Sequence, residues 1–99
     1  IKVGAFRVSP QEIEEVLLAL DGVEEVGVTG IPDETLGQSI KAVVVPKPGV
    51  QLEMLSVKAH CRQNLAAYKV PKIIEFAATL PRTSSGKIQR FKLGQEIRT

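Results

Sequence analysis

Ninety-nine residues, 43% apolar and 24% charged, can close one hydrophobic core and exclude a disordered or collagen-like chain. A single cysteine and a single histidine exclude an internal disulfide and any metal site built from several thiolates or imidazoles, and a formal charge of +2 is too small to name a partner. No apolar run approaches the ~18 residues that cross a bilayer and no signal-peptide pattern is present, so a cytoplasmic address is expected.

The chain opens on IKVGAFRVSP, with Ile1 in place of an initiating Met, and reads as a piece of something longer. SPQEIEEVLLALDG follows. Ser9 and Glu12 stand three apart as a capping box, Pro10 takes the first helical position, and Gly22 offers a left-handed stop. Ile13, Val16, Leu17 and Leu20 fall on one face, which predicts an amphipathic helix.

VEEVGVTGIP and QSIKAVVVPKPG predict two strands, the second with Ile40, Ala42 and Val44 on one face and Val43 and Val45 on the other. The connection DETLGQ predicts a loop of several residues rather than a tight hairpin turn. A second helix is expected from about Met54 to Ala66, with Met54, Val57, Cys61 and Leu65 on its buried stripe. Cys61 reads there as a small core residue and His60 as a helix-surface residue. Pro71 ends the helical region, KIIEFA predicts a third short strand, and IQRFKLGQEI a short strand or turn leading into a terminal helix. The expected fold is α+β: a three-stranded sheet flanked by helices, with a short N-terminal β loop and a C-terminal lysine loop.

Charge is unevenly spread. Residues 1–81 carry eight basic and ten acidic side chains, whereas residues 82–99 carry Arg82, Lys87, Arg90, Lys92 and Arg98 against Glu96 alone. A basic end of this kind suits an anionic ligand or surface, and equally a solvated tail. Within it, RTSSGKI combines turn formers with Gly86, which lets backbone approach a ligand, and Lys87, whose ammonium can bond phosphate or carboxylate oxygens. It is not a P-loop, because Pro81 stands where that motif requires glycine and Ile88 where it requires Ser or Thr.

IKVGAFRVSPQEIE and PRTSSGKIQR, with VGVTGIPDETLGQSIKAVVVP and LAAYKVP between them, together resemble the C-terminal domain of the adenylate-forming enzymes. That superfamily holds the acyl-CoA synthetases, the adenylation domains of nonribosomal peptide synthesis and the luciferase-like ligases. The resemblance spans essentially the whole chain and implies that residues 1–99 are the mobile lid of a ligase whose large N-terminal domain lies elsewhere. Such an enzyme activates a carboxylic acid with ATP and magnesium, held mainly by that N-terminal domain, as an acyl-adenylate. It then passes the acyl group to the thiol of CoA or of phosphopantetheine on a carrier protein.

The resemblance also implies site residues. Lys87 matches the family's adenylation lysine, with Ser84, Ser85 and Gly86 supporting its loop. Lys2 and Arg7 fall where relatives place polar or basic residues facing the site in the second half-reaction, and Gly4 and Ala5 match a pair of small residues beside the thiol channel. The second of that pair is commonly Gly, so the methyl of Ala5 is expected to narrow the channel or restrict the backbone. Simpler readings remain open: Lys2 as a solvated lysine, Arg7 as a partner of Glu12 or Glu14, Glu12 as a cap, and Tyr68 and Lys69 as turn residues. The alternative for the whole chain is a non-catalytic module whose basic tail binds a phosphopantetheinyl carrier or another phosphate ligand. Nucleic acid is not expected, since Phe91 is the tail's one aromatic side chain.

Overall fold

Residues 1–94 are described by a computed structural model, in which five strands form one sheet. Strand β1 (Lys2–Val3) turns into β2 (Phe6–Arg7), followed by helix α1 (Pro10–Leu18), β3 (Val23–Asp33), β4 (Gly37–Pro46), α2 (Met54–Asn64), a 3-10 turn (Ala67–Lys69), β5 (Ile73–Phe76) and α3 (Arg90–Leu93). The three predicted strands are β3, β4 and β5. The sheet is larger than expected because the N-terminal β loop is itself a hairpin joined to it, Val3 pairing with Gly37.

Strand β4 organises the molecule. One edge pairs antiparallel with β3 along its length; the other carries β1 near Gly37 and, farther along, β5 in parallel from Lys41 to Val44. Both faces of β4 are covered, which explains its continuous apolar run from Ala42 to Val45. Ile40, Ala42 and Val44 pack with Ile13 and Leu17 of α1 and Val57 and Cys61 of α2, while Val43 and Val45 pack with Leu80, Ile88 and Leu93. The segment that carries Lys87 is therefore bolted onto the second face of the sheet.

Several local expectations are corrected. Asp33 pairs with Gly37, so only residues 34–36 form the turn between β3 and β4. The connection is short because the Asp33 carboxylate accepts the backbone N–H groups of Thr35 and Leu36, at 3.0 and 2.9 Å, and folds the chain back at once. Pro32 lies inside β3 instead of ending it, which is tolerated because β3 is an edge strand. The capping box does not form. The Ser9 hydroxyl bonds the Gln11 side chain, and Glu12 accepts Lys69 Nζ at 2.9 Å. Helix α1 ends at Leu18, and Gly22 serves the later turn into β3. His60 is half-buried and donates from Nε2 to the Val16 carbonyl at 2.6 Å, tying α2 to α1. Leu65 lies just past the end of α2 and is half-buried. Cys61 is fully buried as expected, and burial pushes its thiol pKa up.

Candidate functional site

The lysine loop begins where buried Leu80 leaves the sheet face and ends where Ile88 returns to it, with Arg82 and Ile88 paired across its base. Thr83 organises the interior. Its N–H donates to the Lys87 carbonyl at 2.8 Å, its carbonyl accepts from Gly86 N at 2.9 Å, and its hydroxyl oxygen accepts from Lys87 N at 3.2 Å. Ser85 bonds the same hydroxyl at 2.9 Å, while Ser84 takes no part in these bonds. Gly86 turns the chain with φ of +89°, a backbone state that a side chain would strain.

Two arginines brace this loop from either side. Arg82 donates from Nη1 to the Gly86 carbonyl at 2.8 Å and pairs with Glu25 of β3. Arg90 forks onto Glu14 of α1, Nε to Oε2 at 3.2 Å and Nη2 to Oε1 at 2.7 Å. Lys87 between them is exposed, and no carboxylate pairs with it among the described residues. Of the basic residues of the C-terminal stretch, Arg82 and Arg90 are thus already neutralised, which weakens the case for a general anion-binding tail. Arg98 and the end of the expected terminal helix lie outside the described residues.

The second candidate cluster is the N-terminal hairpin. Its turn is Gly4–Ala5, and Lys2 stands directly opposite Arg7. Gly4 has φ of +58°, whereas Ala5 lies outside the left-handed region. The hairpin therefore asks for glycine only at the first turn position, and the methyl of Ala5 does not strain the backbone. Gly4 N donates to the Leu36 carbonyl at 2.9 Å and Lys2 N to Gln38 Oε1 at 2.8 Å, which fixes the hairpin on the start of β4. Gln38 can reach because Gly30 has no side chain, a β-carbon there standing 2.7 Å from Gln38 Nε2.

Lys2, Arg7, Ser9 and Gln38 line an open cleft of about 570 Å³. Two like charges directly opposite on a hairpin repel, a cost that an anion lying between them would relieve. Arg7 takes neither acidic partner considered for it, since Glu12 binds Lys69 and Glu14 binds Arg90.

The two clusters do not meet. Arg82 fastens the lysine loop at Glu25, near the start of β3, whereas the hairpin joins the sheet at Gly37, opposite Asp33 at its end. Eight residue steps of extended strand separate Glu25 from Asp33, roughly 26 Å at the usual rise. The sequence reading weighs Glu14 only as a partner of Arg7 and Thr83 only as a turn former, and it passes over Glu25 and Gln38. Only Glu14 left a signal, a carboxylate beside Ile13 and one turn from Leu17, on the buried side of α1.

Comparison with known proteins matches residues 12–87 to the model of the AMP-binding enzyme C-terminal domain. The chain is 46% identical over 93 residues to a 3-[(3aS,4S,7aS)-7a-methyl-1,5-dioxo-octahydro-1H-inden-4-yl]propanoyl:CoA ligase of Rhodococcus jostii, covering 94% of this chain and 18% of that protein. Among solved structures it is similar to ATP-bound MatB from Rhodopseudomonas palustris, with a TM-score of 0.89, 35% identity, and coverage of 95% of this chain and 19% of that one. It is also similar to the anthranilate CoA ligase AuaEII in complex with anthranoyl-AMP, with a TM-score of 0.85, 42% identity, and coverage of 94% and 19%. The chain spans about a fifth of the length of the relatives it matches.

Proposed function

Because the chain belongs to the family of AMP-binding enzyme C-terminal domains, we propose that it is the mobile lid of an ATP-dependent acid:thiol ligase, residues 1–99 forming one domain that works with a larger N-terminal partner. The observation that carries this reading is the ammonium of Lys87, without a carboxylate partner among the described residues, on a braced loop whose flanking arginines are already paired to carboxylates.

In the first half-reaction a carboxylate oxygen of the acid attacks the α-phosphorus of ATP, and the bond to pyrophosphate breaks. Two anions must approach, and Lys87 between them lowers their repulsion and stabilises charge on the oxygens of the phosphorus centre. In the second, a thiol sulfur attacks the acyl carbon, AMP leaves, and the proton of the thiol is lost. The separation of the clusters along β3 supports serving these steps in turn: rotation withdraws Lys87 and brings Lys2, Gly4, Ala5 and Arg7 to the same centre. CoA is favoured as the acceptor, being the thiol in the names of two relatives. Among the described residues no three His, Cys, Asp or Glu side chains group as a metal site. We assign the magnesium that accompanies ATP mainly to the N-terminal domain, as the family resemblance implies.

The test is Lys87→Ala in the full-length enzyme. Acyl-adenylate formation should fall by roughly 10²- to 10³-fold, the ~3–4 kcal/mol of a charged transition-state contact. Thioester formation from supplied acyl-adenylate should change far less. Equal loss in both steps would rule out the alternation.

A further inference from the structure

Resting on the function just proposed, we propose that Glu14 is a positioning residue for adenylation, holding Arg90 and through it the base of the lysine loop. Glu14 is only 8% exposed although it is a carboxylate on a helix of nine residues. Burying a charge is costly unless donors surround it, and here three do. Val28 N donates to Oε2 at 2.9 Å, Arg90 Nε donates to the same oxygen at 3.2 Å, and Arg90 Nη2 donates to Oε1 at 2.7 Å.

The first bond closes an N–H on the outer edge of β3 that an apolar side chain would leave unmet. The other two form a planar fork, which fixes the plane and direction of the guanidinium in a way that one ammonium contact does not. A simple packing role would need neither the charge nor the fork.

The placement of Arg90 gives the arrangement its purpose. It follows Lys87 by three residues, and between them Ile88 packs on the second face of the sheet while Gln89 N donates to the Pro81 carbonyl at 2.9 Å. Arg82 and Glu25 hold the opposite stem of the loop. Both carboxylates belong to the α1–β3 side of the domain, so the loop is tied at two points to one rigid unit. When the lid rotates, Lys87 arrives with the geometry of that unit and not with the freedom of a tail. The same pairing keeps both guanidiniums from competing for the anions meant for Lys87. Adenylation depends on this placement. Thioester formation, with the lysine withdrawn, does not.

The experiment uses the full-length enzyme with Glu14→Gln, Arg90→Gln, the double variant, and Lys87→Ala as the reference. Glu14→Gln keeps an oxygen for Val28 N–H and nearly the same volume while losing the charge. Acyl-adenylate formation and thioester formation from supplied adenylate are measured separately, with KM for ATP and thermal melting alongside. Each single variant should slow adenylate formation by about 10- to 100-fold, chiefly in kcat. The double should be no slower than the worse single, because the two side chains act as one unit. Thioester formation should stay within about twofold. Arg90→Lys, a change at a partly exposed side chain, should recover part of the adenylation rate and none of the fork's precision, giving an intermediate kcat.

Parallel losses in both half-reactions, or additive losses in the double, would reduce the pair to a fold-holding contact and overturn the inference. So would unchanged adenylation in Glu14→Gln beside a dead Lys87→Ala. If Lys87→Ala itself adenylates normally, the functional reading fails and takes this inference with it.

Discussion

A β-carbon on Gly27 would stand 2.6 Å from Leu93 Cδ1, so the leucine of α3 lies directly against the bare backbone of β3. Leu93 is fully buried there, and Ile88 passes beside the same glycine. The second core, which carries the lysine loop, therefore depends on one missing methyl. Gly27→Ala should displace Leu93 and cost about 1–3 kcal/mol, as overpacking of a closed core does. Urea unfolding of the 99-residue chain measures this directly. The same substitution in the full enzyme should slow adenylation more than thioester formation, since the loop shifts with its support.

In the sequence Thr83 is one of several turn formers, yet in the fold its hydroxyl accepts the backbone N–H of Lys87 and shares a hydrogen bond with the hydroxyl of Ser85. Thr83→Val removes both bonds while keeping the shape. We expect adenylate formation to fall by roughly three- to tenfold, about the worth of one or two neutral hydrogen bonds. Thr83→Ser, which keeps the hydroxyl, should stay near wild type. Pyrophosphate release in a single turnover distinguishes them.

Much of the architecture was legible because periodicity reports burial. The alternation of Ile40, Ala42 and Val44 against Val43 and Val45 named both faces of β4, and the stripe of Ile13 and Leu17 named the inner face of α1. Two-residue strands such as Lys2–Val3 and Phe6–Arg7 carry no period, so their place in the sheet could not be read. The candidate at Lys87 stands out in the sequence because its loop resembles a family motif. Its bracing does not, because Glu14 and Arg90 are 76 positions apart and Ser9 and Glu12 offered a local alternative that the fold does not use. Which carboxylate meets which guanidinium is decided by tertiary packing.

Lys2 and Arg7 face each other across the hairpin without an acidic partner in the described residues. Lys2→Gln or Arg7→Gln should leave adenylation within about twofold, because in the proposed alternation this cluster stands away from the reacting phosphate during that step. Thioester formation should fall by about 10-fold for each, the loss of one charge-assisted contact to an anionic substrate. The isolated chain should show the other side of the same effect, becoming slightly more stable when either charge is removed, as expected when a like-charged cross-strand pair is relieved. A matched loss in the two half-reactions would place the hairpin outside the thiol step.

Asp33 gives the β3–β4 turn a pH dependence whose sign follows from its partners. The Leu36 N–H, then the Lys72 ammonium, then the Thr35 N–H hold its pKa at about 2, below its ordinary value of 3.8. Between roughly pH 4 and pH 2 the unfolded chain therefore binds more protons at this position than the folded one, and stability drops as pH falls through that window. Above it the contribution is complete, and below it the contribution is gone. Asp33→Asn keeps an oxygen for the two amides but loses the charge that meets Lys72. Its stability deficit relative to wild type should be constant from pH 7 to about 4.5 and shrink toward pH 2. Urea midpoints for both chains across this range check it, and direct NMR titration of the Asp33 carboxyl should place its midpoint clearly below that of an exposed aspartate. A midpoint near 3.8 would mean that the turn does not hold the carboxylate in its charged form. The short connection between β3 and β4 would then need another cause.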